Sequence, residues 1–150
     1  MPNRRIARCL VSVFGIGHSP ILPGTLGSLA GVFLYLLVFR SPLLYAASFF
    51  LICFTALFAS RRALQSTMEK DPSWIVIDEV AGMMVSLCLV PPRLPFLILG
   101  FILFRFFDST KIWPLDRLEK LHGEWGILLD DLGAGVYANL ILQIVLRAAS

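Results

Sequence analysis

The sequence predicts an all-α fold, a polytopic membrane helical bundle with about four to five membrane-embedded helices. Of its 150 residues, 57% are hydrophobic and 15% are charged, whereas soluble domains carry about 25% charged residues. The mean hydropathy is +0.80, and the apolar residues form stretches separated by Pro, Gly or charged residues. This length predicts one domain over residues 1–150.

Five apolar stretches are candidates for the embedded helices. A helix needs about 20 residues to cross a bilayer, and only the second and fifth stretches approach that length cleanly. We therefore expect some of the others to tilt, to re-enter or to thin the bilayer locally. The stretches are 21–40, 42–60, 74–91, 94–107 and 126–147.

The basic residues predict the orientation of these helices. Most of them fall in three segments, which precede the first, third and fifth stretches, while the two intervening turns carry one Arg each. By the positive-inside rule the three basic segments are cytoplasmic, and the C-terminus is outside if all five stretches span. The three segments contain Arg4, Arg5 and Arg8, then Arg61, Arg62 and Lys70, then Lys111, Arg117 and Lys120.

Charge and cysteine content exclude other classes of protein. The net charge of +3 is small and dispersed, so no nucleic-acid partner is expected. Cys9, Cys53 and Cys88 are isolated among apolar neighbours, which fits neither a disulfide framework nor a cysteine metal site.

Five carboxylates map to the cytoplasmic ends of the last three stretches. Four of these acidic residues lie inside apolar stretches, where each costs roughly 2.5–3.5 kcal/mol at mid-bilayer and less near the interface. Such a combined penalty indicates a function. The five residues are Asp78, Glu79, Asp108, Asp130 and Asp131.

An all-oxygen group of carboxylates suits a hard cation. Without a cation, mutual repulsion would raise the carboxylate pKa values, and Mg²⁺ commonly binds one or two carboxylates together with waters and substrate phosphates. The alternative is that the acidic pairs only cap helix N-termini. Glu69, in the loop before the third stretch, either adds to the acidic site or only solvates the loop, and Asp71 has the same two interpretations.

Two further motifs suggest phosphate binding. Arg105, Asp108 and Lys111 follow one another at i+3 spacing and predict a polar stripe on one helix, which is either functional or a local ion-pair ladder. In "SPILPGTLGS", Thr25 is a candidate helix N-cap with Ser28 on the first turn, and exposed N–H groups there would suit a phosphate. The alternative is that both residues are ordinary caps.

Two histidines and one charged segment have weaker interpretations. His18 is either a general acid or a solvated loop residue. The segment "PLDRLEKLHGEWG" has Leu115, Leu118 and Leu121 at helical spacing, which predicts an amphipathic helix on the membrane surface with His122 exposed.

The chain resembles the phosphatidylglycerophosphatase A family over nearly its whole length. Four blocks in the same order carry the resemblance: "SPILPGTLGS", "EKDPSWIVIDEVAGM", "FRFFDSTKIWP" and "LLDDLGAGVYA". It implies an all-helical, Mg²⁺-dependent lipid phosphatase of the bacterial inner membrane that converts phosphatidylglycerophosphate to phosphatidylglycerol and phosphate. The chain differs from the family pattern at two places. Ile112 occupies a position where the family often has Pro, and Glu124 and Trp125 occupy positions where it commonly has small residues.

The resemblance also implies roles for individual residues. Asp78, Glu79, Asp108, Asp130 and Asp131 are expected to be catalytic and, with Glu69, to hold the metal. Thr25, Ser28, Arg105 and Lys111 are expected to bind the phosphate of a phospholipid substrate. The family motifs carried over are Pro23, Gly24, Thr25, Gly27 and Ser28, then Glu69 and Asp71, then Asp78, Glu79 and Gly82, then Arg105, Asp108 and Lys111, then Asp130 and Asp131.

The sequence allows two groups that could attack phosphorus and two classes of function. Either water or a carboxylate attacks phosphorus, and no C-x5-R loop is present to favour a cysteine nucleophile. The functional alternative is a cation- or proton-coupled transporter that uses its buried carboxylates. Carboxylates gathered at one membrane face favour the enzyme. The sequence does not define an oligomeric state.

Overall fold

The computed structural model describes residues 2–65, 67–69 and 72–149, and within these ranges it confirms an all-α fold without β-strands. A short 3-10 turn, Ile16–His18, follows the first of seven α-helices. The helices are α1 Pro2–Val11, α2 Pro23–Val38, α3 Pro42–Leu64, α4 Ile77–Ser86, α5 Leu94–Thr110, α6 Leu115–Leu118 and α7 Glu124–Ala148.

Each predicted apolar stretch contains one helix, but fewer helices than expected have the length of a membrane span. In the described part of the chain, only α3 with 23 residues and α7 with 25 are long and apolar enough to cross a membrane, by length and composition. The 10 residues of α4 rise only about 15 Å, half of the hydrocarbon thickness. Leu89 with a φ of 58° and the prolines after it prevent continuation of this helix.

Helix α4 lies at the centre of the bundle. Helices α2, α3, α5 and α7 all contact it, and nearly all of its residues are buried. A short helix that is apolar all round is buried by its neighbours, and this location carries Asp78 and Glu79 into the interior.

Glycines set the distance between α4 and α7. A Cβ atom on Gly135 of α7 would lie 2.3 Å from the carbonyl oxygen of Gly82 in α4. A Cβ atom on Gly82 would lie 2.6 Å from the carbonyl oxygen of Asp131. Small residues allow helix backbones to approach closely, so this contact places the acidic residues of α4 beside those of α7.

Polar side chains satisfy the backbone carbonyls at the C-terminal end of α4. Asn139 donates through Nδ2 to the carbonyl oxygens of Ser86 at 2.9 Å and Cys88 at 2.8 Å. Tyr45 donates its hydroxyl to the carbonyl of Met84. Unpaired carbonyls in apolar surroundings are costly, so these bonds stabilise the end of a short helix inside the bundle.

The outer faces of four helices expose large apolar side chains. On each of these helices such residues recur every four positions, which is the spacing of one helix face. The residues are Leu29, Phe33 and Leu37 on α2; Phe50, Phe54 and Phe58 on α3; Ile98, Ile102 and Phe106 on α5; and Val136, Leu140 and Ile144 on α7. Apolar surface of this extent marks an interaction surface.

We expect Gly135→Ala to destabilise the protein by about 1–3 kcal/mol, because the new methyl group overlaps the Gly82 carbonyl. The neighbouring substitution Val136→Ala is the control, since Val136 is 48% exposed on the same helix. Thermal unfolding in detergent measures both. Equal melting temperatures for the two variants would show that the close helix contact does not constrain the fold.

Candidate active site

A cleft of about 760 Å³ opens at one end of the bundle. Its lining comes from the start of α2, the segment before α4, the first turn of α4, the end of α5, the connection that contains α6, and the first half of α7. All five carboxylates that the sequence analysis selected line it: Asp78, Glu79, Asp108, Asp130 and Asp131. The predicted gathering of these residues is therefore observed.

Asp108, Asp130 and Asp131 form a compact triad. One carboxylate oxygen from each residue lies within 4.8 Å of the other two. Asp130 and Asp131 are each only 4% exposed, and Asp108, from the last turn of α5, is partly buried. Buried carboxylates at this separation repel one another unless cations or protons intervene.

Glu79 lies between α2 and α5 because α2 carries glycine where it faces this residue. A Cβ atom on Gly24 would lie 2.2 Å from Oε1 of Glu79, and one on Gly27 would lie 2.5 Å from its Oε2. Asp78 and Glu79 both occupy the first turn of α4, where the helix dipole favours negative charge. The glycines of the "PGTLG" motif thus make room for a carboxylate.

Arg105 connects three helices at the wall of the cleft. Its Nη1 lies 2.8 Å from Oδ2 of Asp108 and 3.4 Å from Oε1 of Glu79, and it donates to the Ser28 hydroxyl at 3.4 Å. Ser28 is fully buried and is not one of the residues that line the cleft. Ser28 therefore contacts Arg105 from behind, and Arg105 holds two carboxylates in place.

Lys111 ends α5 in a left-handed conformation with a φ of 45°. It therefore leaves the helical stripe that the i+3 spacing predicted, and only the Arg105–Asp108 pair follows that prediction. Its ammonium pairs with Asp130 and lies 3.3 Å from Oε1 of Glu119. Burial alone would lower the pKa of Lys111, but the hydrogen bond to Asp130 and the charges of Asp130 and Glu119 raise it overall.

The charges of the cleft fit a divalent cation. Among the described residues its lining contains three Lys or Arg side chains and seven carboxylates: Glu69, Asp78, Glu79, Asp108, Glu119, Asp130 and Asp131. Within the same part of the chain, the buried atoms Oε2 of Glu79 and Oδ1 of Asp130 have no hydrogen-bond partner. Oxygen-only donors with excess negative charge suit a hard cation.

Three other predictions have different outcomes. Thr25 lines the cleft, but it is not an N-cap, because α2 begins two residues earlier at Pro23, a residue favoured at the first helical position. His18 stacks on Trp74 with ring centroids 6.0 Å apart and does not line the cleft. Asp71 lies outside the described residues.

The connection between α5 and α7 contributes residues to the cleft that the sequence did not predict. Instead of a long amphipathic helix, this segment forms the four-residue α6 and a loop, and Glu119, Lys120 and His122 line the cleft. The sequence feature that could have indicated this contribution is the high charge of a segment that lies only a few residues before Asp130 and Asp131. Ser73, before α4, also lines the cleft without having been predicted.

The fold and the site define an all-α protein with a buried acidic cleft that could hold a metal ion. The model of the phosphatidylglycerophosphatase A family matches residues 9–146, and the chain belongs to this family. Its members are phosphomonoesterases that act on lipid phosphates, which confirms the prediction of an enzyme. No solved structure is significantly similar to the chain.

Three named relatives are similar over most of their length. The phosphatidylglycerophosphatase A of Escherichia coli is 36% identical over 88% of this chain and 78% of its own. That of Haemophilus influenzae is 34% identical over 86% and 82%. A Bacteroides thetaiotaomicron protein with the provisional name phosphatidylinositol-3-phosphatase is 34% identical over 87% of each chain.

We expect Gly24→Ala to lower phosphatase activity by about tenfold or more, because its methyl group would displace Glu79 from Arg105 and misplacement near 1 Å can cost 10²-fold. Leu29→Ala, at an exposed position on the same helix, is the control. Activity and thermal unfolding are measured on both. Full activity of Gly24→Ala would show that the position of Glu79 does not matter for the reaction.

Proposed function

We propose that this protein hydrolyses the phosphomonoester of phosphatidylglycerophosphate to phosphatidylglycerol and phosphate, with Mg²⁺ as its cofactor. The observation that carries the proposal is the triad of Asp108, Asp130 and Asp131, whose oxygens lie within 4.8 Å of one another in a buried cleft. Two relatives named phosphatidylglycerophosphatase A support this substrate. The proposed unit is one domain over residues 1–150.

In this proposal the carboxylates are the catalytic machinery and the metal ligands. Asp108, Asp130 and Asp131 would hold the cation, and Asp78, Glu79 and Glu69 complete the acidic lining. Bound Mg²⁺ supplies the positive charge that phosphoryl transfer requires. Either water or one of these carboxylates attacks phosphorus, and the carboxylates nearest to an attacking water would accept its proton.

The cationic side chains have two tasks in the same mechanism. Arg105 holds Glu79 and Asp108, and Lys111 holds Asp130, so both fix the direction of the ligands. Both also line the cleft, where with Thr25 they would contact the phosphate oxygens as charge moves onto them. Ser28 would act through Arg105, since it donates and accepts hydrogen bonds only behind the cleft wall.

We also propose that α2, α3, α5 and α7 are embedded in the bacterial inner membrane with the cleft at the cytoplasmic interface. The exposed apolar faces of these helices support a lipid environment. Arg61, which pairs with Glu124 next to the cleft-lining Gly123, supports the cytoplasmic orientation. The acyl chains of the substrate would then remain in the leaflet while the headgroup enters the cleft from the side.

The acidic residues argue against the transporter alternative. A transporter would place carboxylates through the depth of the membrane, whereas those of this protein gather at one end of the bundle. The name of the Bacteroides relative makes phosphatidylinositol 3-phosphate the second substrate to compare.

We expect the purified protein to release phosphate from phosphatidylglycerophosphate in the presence of Mg²⁺. Addition of EDTA should stop this release. Asp78→Asn, Asp130→Asn and Asp131→Asn should each lower activity by about 100-fold or more, and Asp130→Asn and Asp131→Asn should also weaken binding of Mn²⁺ measured by electron paramagnetic resonance.

Glu124→Gln is the matched control, because Glu124 is a carboxylate on the same helix that pairs with Arg61 and does not line the cleft. It should retain activity and Mn²⁺ binding. Phosphate release that survives EDTA would refute the metal-dependent mechanism. Faster hydrolysis of phosphatidylinositol 3-phosphate would change the assigned substrate.

The orientation can be tested with a membrane-impermeant maleimide. Cys9 is exposed on α1, which packs against the C-terminal half of α3 near the cleft, and Ser41 caps the opposite end of α3. With Cys53 and Cys88 replaced by Ser, inside-out vesicles should label Cys9 and right-side-out vesicles should not. A Ser41→Cys variant that lacks Cys9 should show the reverse. Labelling of Cys9 from the periplasmic side would overturn the cytoplasmic location.

A further inference from the structure

The walls of the cleft change in character from its depth to its mouth. The depth contains the buried acidic residues, whereas the loop after α6 contributes Lys120, Leu121 and His122, all exposed. Leu22, 66% exposed, is another exposed apolar side chain in the lining of the same cleft. The exposed part of the lining thus places a lysine, a histidine and two leucines beside Glu69 and Glu119, and Glu119 is already paired with Lys111, whereas the depth contains the buried aspartates.

The two deep cations are already engaged. Arg105 pairs with Glu79 and Asp108, and Lys111 pairs with Glu119 and Asp130. Lys120 has one weaker partner, with its Nζ 3.7 Å from Oδ2 of Asp116, and its side chain is 75% exposed. Exposed ion pairs contribute little, so Lys120 can exchange this partner for an anionic group in the cleft at small cost.

This order of chemistry matches a lipid that carries two phosphates in series. In phosphatidylglycerophosphate the terminal phosphomonoester is separated by a glycerol unit from a phosphodiester, and the acyl chains follow. Resting on the proposed function, we infer that Lys120 and His122 bind the phosphodiester while the monoester lies among the deep carboxylates. Lys120 supplies a positive charge, and a histidine N–H donates in either protonation state. Leu22 and Leu121 would contact the lipid glycerol region.

These residues would therefore determine specificity rather than perform the chemistry. A phosphodiester contact at the mouth favours lipids with a second phosphate over phosphatidate, whose only phosphate is joined directly to diacylglycerol. Such a contact is the same in the ground state and the transition state, so its loss raises KM and leaves kcat unchanged.

The test compares Lys120→Gln, His122→Gln and the double variant with wild type. We expect Lys120→Gln to raise the KM for phosphatidylglycerophosphate by about tenfold, the loss of one charge-assisted hydrogen bond, with kcat within about twofold. His122→Gln should raise KM by a smaller factor, because the amide keeps an N–H donor. The inhibition constant of inorganic phosphate, which probes the deep site alone, should remain unchanged in all three.

Arg117→Gln is the matched control. Arg117 lies on α6, three residues before Lys120, its guanidinium is over the Trp113 ring, and it does not line the cleft. This variant loses the same charge and should retain the wild-type KM. An equal rise in KM for Arg117→Gln would show a general electrostatic effect and would overturn the assignment to Lys120.

The remaining outcomes separate this inference from the function on which it rests. If wild type hydrolyses phosphatidylglycerophosphate and Lys120→Gln has the wild-type KM, the phosphodiester site is wrong and the proposed function stands. A weaker inhibition by inorganic phosphate in Lys120→Gln would place this residue at the monoester and also refute the inference. If wild type does not hydrolyse this lipid, the proposed function itself fails.

Discussion

Mutual repulsion among buried carboxylates is the constraint on which this structure depends. Five acidic side chains from three helices share one cleft, and two of them are 4% exposed. Two cations inside the protein oppose part of this repulsion: Arg105 pairs with Glu79 and Asp108, and Lys111 pairs with Asp130. Among the described residues of the lining, carboxylates still outnumber cations, and the oxygens of Glu79 and Asp130 that lack a hydrogen-bond partner could bind a divalent cation.

The helix packing brings these charges together. The Gly82–Gly135 contact brings the backbones of α4 and α7 together, and Gly24 and Gly27 leave space for Glu79 against α2. Side chains from α3 and α7 satisfy the carbonyls at the other end of α4. A half-length helix is therefore stable within the bundle, and its acidic N-terminus faces the cleft.

In the function proposed above, the same arrangement would separate two tasks along the cleft. Helices hold the acidic depth, where a metal ion and a phosphate would require fixed geometry. The loop 119–123 contributes exposed side chains to the same cleft. The relatives carry different substrate names, and variation confined to such a loop is a physical route to that difference.

The sequence determined the helical class, the family, and the location of Asp78, Glu79 and Asp108 at helix ends, whereas Asp130 and Asp131 lie in the second turn of α7. Hydropathy predicts helices well in apolar chains, because unpaired backbone groups there leave few alternatives. Periodicity did not predict the length of α4 or the start of α2 at Pro23, since both depend on turns whose backbone the apolar pattern does not reveal.

Only the tertiary structure decided which side chains meet. Ser28 lies behind Arg105 rather than in the cleft, because the α2 face that carries it packs inward. Lys111 turns out of α5 to reach Asp130, and the loop with Lys120 and His122 lies over the site. These contacts join residues far apart in sequence or outside regular helices. A one-dimensional pattern specifies the face of a helix, whereas the neighbour of that face depends on the packing of the whole bundle.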